Sequence, residues 1–276
     1  MKKQFLVGAD PECFVVNKKT GEVVDAIPFI PGYKDNPYWI TGLGDGYAIQ
    51  TDNILAEFNI PACRTREEFV SSIRSMKGVI TGYLLAQDKN LGILCAATQD
   101  VDEKYLQSDQ ARLFGCEPDY CVYTMEENSA PGVPKGYRTA GFHIHCSIED
   151  SFIDNVRSCK AIKFLDLFLG IPSVIIDTDP RRRGVYGKAG AMRLKVYGPE
   201  YRTPSSYMLN DEFLGYMYDQ TITALDKVYE DEDSSFEDSI DWDYVRKTIN
   251  DGNITEAEKI VKQFNIAMPC VESSVT

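Results

Sequence analysis

The sequence predicts an α+β fold in which mainly antiparallel strands carry flanking helices. Runs of strand period follow one another across short turns, such as NKKTG at 17–21. Three other segments, near 65–84, 156–169 and 208–229, keep helical spacing. Helices do not alternate one for one with strands, which argues against a parallel βαβ sheet. With 276 residues and 43% hydrophobic content, the chain can bury one substantial core.

Residues 4–17 (QFLVGADPECFVVN) and 21–29 (GEVVDAIPF) are rich in β-forming residues and read as the first strands. Pro11 lacks a ladder donor, so its strand is expected at an edge or a bulge. A Gly-rich turn, GLGDG at 42–46, precedes ILAEFNIP at 54–61. Thr65 and Glu68 form a capping box opening a helix whose apolar positions are Phe69, Ile73, Met76, Ile80 and Leu84. NLGILCAAT at 90–98 reads as a buried strand. Residues 115–138, dense in Pro, Gly, Asn and acids, read as a long loop of the kind that serves as a lid. GFHIHCSI at 141–148 alternates: Phe142, Ile144, Cys146 and Ile148 face one way, His143, His145 and Ser147 the other. A helix over 156–169 aligns Ile162, Leu165, Phe168 and Leu169; 191–203 alternates again, and 208–229 is helical. Past 230, EDEDSSFEDSIDWD is acidic and of low complexity, and Thr255 with Glu258 caps a last short helix. The expected organisation is one domain over 1–230, then an acidic linker, a short helix and a mobile tail over 231–276.

The formal net charge of -13 argues against a broad basic surface and hence against nucleic acid as a partner. No run approaches 18 apolar residues, so no transmembrane helix is expected. The start, MKKQFLVGADPE, meets acids at once without a signal-peptide core, which points to a cytoplasm. Eight cysteines show no CxxC pair and read as reduced, mostly buried thiols. Cys146 beside the two histidines lacks a third orienting group for a nucleophile.

Against that acidity, residues 181–202 (RRRGVYGKAGAMRLKVYGPEYR) hold seven of the 29 basic residues and one acid, Glu200. Arg and Lys interleaved with Gly suit a concave site for phosphate oxygens, although a surface face neutralised by acids elsewhere has the same composition. Asp10 and Glu12, two apart on a strand, leave one face about 7 Å apart. Asp52 and Glu57 bracket the start of another strand, and His143 and His145 share one face of a third. Each motif alone has a plainer reading: solvated acids, a hydrogen-bonded histidine pair, or an ion pair of Glu200 with Arg193 or Arg202. Together they supply carboxylates and imidazole for magnesium or manganese, with cations left over for phosphate. GxxxxGK[ST], GxGxxG and HExxH are all absent from the sequence.

These segments, GADPECF, TDNILAEFNIP, GFHIHCSI, RRRGVYGKAGAMR and YGPEYRTPSS, with FGCEPDY at 114–120, resemble in content and order those of phage-encoded carboxylate–amine ligases. That group belongs to the glutamine synthetase / glutamate–cysteine ligase superfamily, and the resemblance spans roughly residues 5–210. It implies a glutamine synthetase-like catalytic fold, with the antiparallel sheet curved around ATP and Mg2+ or Mn2+. ATP would phosphorylate a substrate carboxylate and an amine would displace phosphate; the substrates would be small molecules or peptides, and the setting a host cytoplasm. By position, Asp10, Glu12, Glu57, His143 and Glu200 look like metal ligands and His145 like a phosphate contact. Arg182, Arg183, Lys188, Arg193 and Arg202 look like the groups that neutralise the phosphates. Glutamine synthetase has an arginine two residues before the acid equivalent to Glu200; here Gly198 stands there, and its load falls to Arg193 or Lys195. Asp52 and Asp119 are both candidates to take the amine proton. A guanidino kinase, or a nucleotide-binding protein without catalysis, are the alternatives.

Overall fold

The computed structural model describes residues 4–112, 119–128, 134–148 and 155–269. Twelve strands appear among them: β1 (Val7–Asn17), β2 (Val23–Val24), β3 (Tyr38–Trp39), β4 (Ala48–Asp52), β5 (Leu55–Cys63), β6 (Leu91–Leu94), β7 (Thr98–Asp100), β8 (Tyr120–Cys121), β9 (Tyr137–Thr139), β10 (Phe142–Cys146), β11 (Ala191–Lys195) and β12 (Gly198–Tyr201). The main sheet runs β3-β4-β5-β1-β10-β12-β11-β8, with β2 and β6 joined to the far half of β1, while β7 and β9 pair separately. Every ladder between these strands is antiparallel. The expected α+β class holds.

Strand β1 is central, so of the edge or bulge expected from Pro11 the edge is corrected, while the ladder with β5 does shift register between Val7 and Ala9. Its early half pairs with β5 and β10, and its late half with β2 and β6. Pro11 is tolerated on the β10 side because it faces Phe142 at a position that exchanges no ladder bond: the Phe142 N–H donates to the Pro204 carbonyl at 3.0 Å, and no donor is needed from Pro11 there. The residues of β1 then sort by face: Val7, Ala9 and Cys13 lie in the core, Asp10 and Glu12 on the other side.

Helix α1 (Arg66–Gln87) starts as expected: the Thr65 side chain accepts from the Glu68 N–H and the Glu68 carboxylate returns to the Thr65 N–H. Its predicted apolar face is buried against β5. A short helix, α2 (Asp109–Arg112), follows. Helix α3 (Asn155–Leu165) runs past its expected end through a π-helical turn, Asp166–Gly170, into α4 (Ile171–Ile176). Pro172 accounts for the wide turn, since its ring would clash with a normally placed carbonyl. Helix α5 (Leu214–Glu230) begins later than expected because Ser205 caps a separate 3-10 turn, Ser206–Leu209. The strand expected over 21–29 is reduced to β2.

Residues beyond 230 depart most from expectation. Helices α6 (Ser235–Asp238), α7 (Trp242–Asp251) and α8 (Ile254–Gln263) follow, and Val245, Ile249, Ala257 and Ile260 belong to the main core. The acids are structural: Asp231 accepts the Phe236 and Glu237 N–H groups and pairs with Lys160 at 2.8 Å. The cap of α8 is Asn253, whose side chain accepts from the Glu256 N–H, not Thr255. The far tail, from 270, lies outside the described residues.

Candidate active site

Cross-strand register brings the motifs together. Gln50 of β4 faces Glu57 of β5, which faces Glu12 of β1; Asp10 faces His143 of β10; His145 faces Glu200 of β12, which faces Arg193 of β11. Directly opposed residues place Cβ atoms about 5 Å apart, so short motifs far apart in sequence become one polar band. Asp10, Glu12, Asp52, Glu57, His143, His145, Arg193, Lys195, Glu200 and Arg202, all expected from sequence, line one cleft of about 520 Å³.

Two groups of ligand-type atoms converge in it. Glu12, Asp52 and Glu57 form one, and Asp10, His145 and Glu200 the other, each with its atoms within 4.8 Å of one another. In the first group the neighbours are acids. Burial pushes the Glu57 carboxyl well above its ordinary value, and the charges of Asp10, Glu12 and Asp52 push it further. Burial also raises Glu12, partly offset by His143. A Gly141 N–H donates to Glu12 Oε2 at 2.6 Å and Gln50 Nε2 to Glu57 Oε2 at 2.9 Å.

The second group is surrounded by cations. Arg193 Nη1 and Lys195 Nζ stand 3.5 and 3.3 Å from Glu200, and Arg202 also contacts it. Burial alone would raise Glu200, but Arg202 holds it below its usual range. Burial would likewise raise Asp10; the charge of His145 and the close approach of both histidines hold it far below. His145 in turn is raised, because Asp10 outweighs the effect of its burial.

Both histidines reach the converging acids, although a ligand role was expected of His143 alone. Nε2 of His145 lies 2.9 Å from Asp10 Oδ1, inside the converging group. His143 Nδ1 stands 3.3 Å from both Asp10 Oδ1 and Arg202 Nη1, between the two groups. Of the two candidates for the amine proton, Asp52 lines the cleft, while Asp119 lies outside its lining and is engaged by Arg202 at 3.2 Å and by Asn128.

Arg182, Arg183 and Lys188 do not reach this cleft, contrary to expectation. Buried Arg182 donates to the Thr203 and Arg202 carbonyls at 2.7 and 3.2 Å, fixing the chain that presents Arg202. The interleaved Gly187, at φ +68°, makes room for it: a Cβ there would fall 1.8 Å from Arg182 Nη1. Arg183 donates to the Ser173 and Asp177 carbonyls at the end of α4. Lys188 borders a separate crevice with Asp119 and Asn128. Gly198 has a local cause as well: at φ +141° it lies so close to β10 that a Cβ would come within 2.1 Å of the Cys146 carbonyl oxygen. The sequence reading missed Gln50, Tyr197 and Trp39 as cleft residues; the period-two pattern of β4 was the signal available for Gln50. Of the segment 115–138 expected to serve as a lid, residues 115–118 and 129–133 lie outside the described residues, and with them most of FGCEPDY.

Comparisons place part of this arrangement among known proteins. Residues 121–227 match a family model described as phage phiEco32-like COOH.NH2 ligase, type 2. That stretch holds β10, the basic run and β12, whereas Asp10, Glu12, Asp52 and Glu57 fall before it. No curated protein matches the chain. Among solved structures, a bifunctional glutathione synthetase from Pasteurella multocida is similar at 13% identity and a TM-score of 0.45 over 95% of this chain. The match covers 49% of that protein, so the chain spans about half its length. Among the described residues, no helix is long and apolar enough to cross a membrane.

Proposed function

We propose that the protein is an ATP-dependent carboxylate–amine ligase that works through an acyl phosphate, on a glutamine synthetase-like sheet, with two divalent cations. The feature that carries this reading is one cleft holding two converging ligand groups, with Arg193, Lys195 and Arg202 gathered around one of them. The family match over 121–227 supports the same reaction class for the segments that carry His145, Glu200 and these cations.

The donors fit magnesium or manganese, being carboxylate oxygens with one imidazole. Asp10 Oδ1 and His145 Nε2 are buried without a well-formed hydrogen bond although 2.9 Å apart. About 3 Å is the edge expected of an octahedral shell with bonds of about 2.1 Å. Glu12 and Glu57 would hold one cation, and Asp10, His145 and Glu200 the other. Bound there, the cations neutralise phosphate oxygens of the nucleotide.

The chain's own groups do the rest. Arg193, Lys195 and Arg202 spread the charge of the phosphoryl group as it passes from ATP to a carboxylate oxygen of the substrate, releasing ADP. The amine must be neutral to attack the acyl carbon, and Asp52, the least buried acid of its group, takes the proton. Phosphate leaves and an amide remains. Both substrates are small molecules or peptides.

The test supplies ATP and Mg2+ with panels of amino acids, polyamines and peptides, and follows phosphate release alongside the product mass. A productive pair yields free phosphate and a product one water lighter than the pair. A phosphorylated product without free phosphate would indicate kinase chemistry instead, and ATP hydrolysis indifferent to every pair would refute the ligase.

A further inference from the structure

Tyr197 stands in the cleft without a task in the proposed reaction. It occupies the two-residue turn, Val196 and Tyr197, between β11 and β12. Its ring stacks on the imidazole of His145, with centroids 5.6 Å and planes 19° apart, and its hydroxyl contacts His145 Nδ1. The backbone fixes this arrangement. The Ile148 N–H donates to the Tyr197 carbonyl at 3.2 Å, and Gly198 is pressed against the Cys146 carbonyl. The segment that carries His145 therefore also anchors the turn that presents Tyr197.

An imidazole binds a cation only through a nitrogen that bears no proton, and the other nitrogen then carries the proton. His145 turns Nε2 towards Asp10 and the converging ligand group, so the proton belongs on Nδ1. That N–H needs an acceptor, and partners of this kind set both the tautomer and the orientation of a histidine ligand. The Tyr197 oxygen is in place to accept it.

We propose that Tyr197 is the positioning residue of His145, holding the ring by stacking and keeping the proton on Nδ1 so that Nε2 is free for the cation shared with Asp10 and Glu200. This rests on the cation site proposed above, and the experiment separates the two. The chain has only two histidines, so their ring nitrogens can be followed individually by 15N NMR. Tyr197→Phe keeps the ring and removes the oxygen. Without metal, the variant should shift the His145 ring nitrogens and leave those of His143 in place. With Mg2+, the wild type should show a proton on Nδ1 of His145 and none on Nε2. Titrated with Mn2+, Tyr197→Phe should bind one cation about 10-fold more weakly and the other as the wild type does. Val196→Ala, in the same turn, should change none of these. Unmoved His145 resonances, or Mn2+ binding equal to the wild type, would overturn the assignment. Shifted resonances with no Mn2+ bound by the wild type would show that the Tyr197–His145 pair is real, and would reject the cation site together with the role given to Tyr197.

Discussion

Glu57 and Glu200 share one sheet face, yet they sit in opposite electrostatic settings, and their variants should diverge. Glu57 has a folded value above its unfolded one, so the native state binds the extra proton and loses stability as pH rises past the unfolded value. Glu57→Gln should therefore raise the melting temperature of the metal-free protein at neutral pH, while removing its response to Mg2+. Glu200 is held below its ordinary value, so it contributes stability above the unfolded value, and that contribution is lost on acidification. Glu200→Gln leaves buried cations facing a neutral amide and should cost about 3–5 kcal/mol. Thermal melts of the two metal-free variants decide this; shifts of the same sign would contradict the electrostatic account. The acids and histidines were legible because short strand motifs state both residue type and face. Arg182 and Arg183 were not, since a charge count cannot tell a cation facing a ligand from one spent on backbone carbonyls. That His145 faces Glu200 is a matter of register with β12, which no local motif encodes.

At the scale of elements, local signals succeeded where both halves of a motif are neighbours in sequence. The Thr65 box is the example, and Thr65→Ala should cost about 1 kcal/mol in urea unfolding. At the last helix the same logic failed, because Asn253 and Thr255 are both cap formers and the geometry selects Asn253. The β11–β12 hairpin depends on tertiary packing. Gly198→Ala adds a Cβ into the Cys146 carbonyl at a backbone angle L-residues avoid, and should cost more than about 2 kcal/mol. A Gly198→Ala protein as stable as the wild type in the same urea titration would mean that the hairpin is not seated as described. Pro11 misled for a related reason: it falls opposite Phe142 at a position that exchanges no ladder bond, a matter of register with a strand remote in sequence.

For the whole molecule, the antiparallel α+β architecture followed from patterning, but the boundary near 230 did not. An acidic stretch reads as solvated when its partners, Lys160 and Lys163, cannot be placed; here they hold Asp231 and Glu237. Truncation after Glu230 removes Val245, Ile249 and Ile260 from the core and should abolish cooperative unfolding in near-UV circular dichroism. A truncated chain that still melts cooperatively would restore the boundary at 230.

The central claim, that the cleft is a cation-dependent nucleotide site, is tested most directly by the melting temperature with ATP. At ligand about 100-fold above its dissociation constant, linkage supplies roughly 2.7 kcal/mol, or about 5–10 °C for a chain of this size. ATP with Mg2+ should produce that rise in the wild type, and ATP with a chelator should leave the melt nearly unchanged. Equal shifts with and without the cation, or no shift with either, would contradict the site.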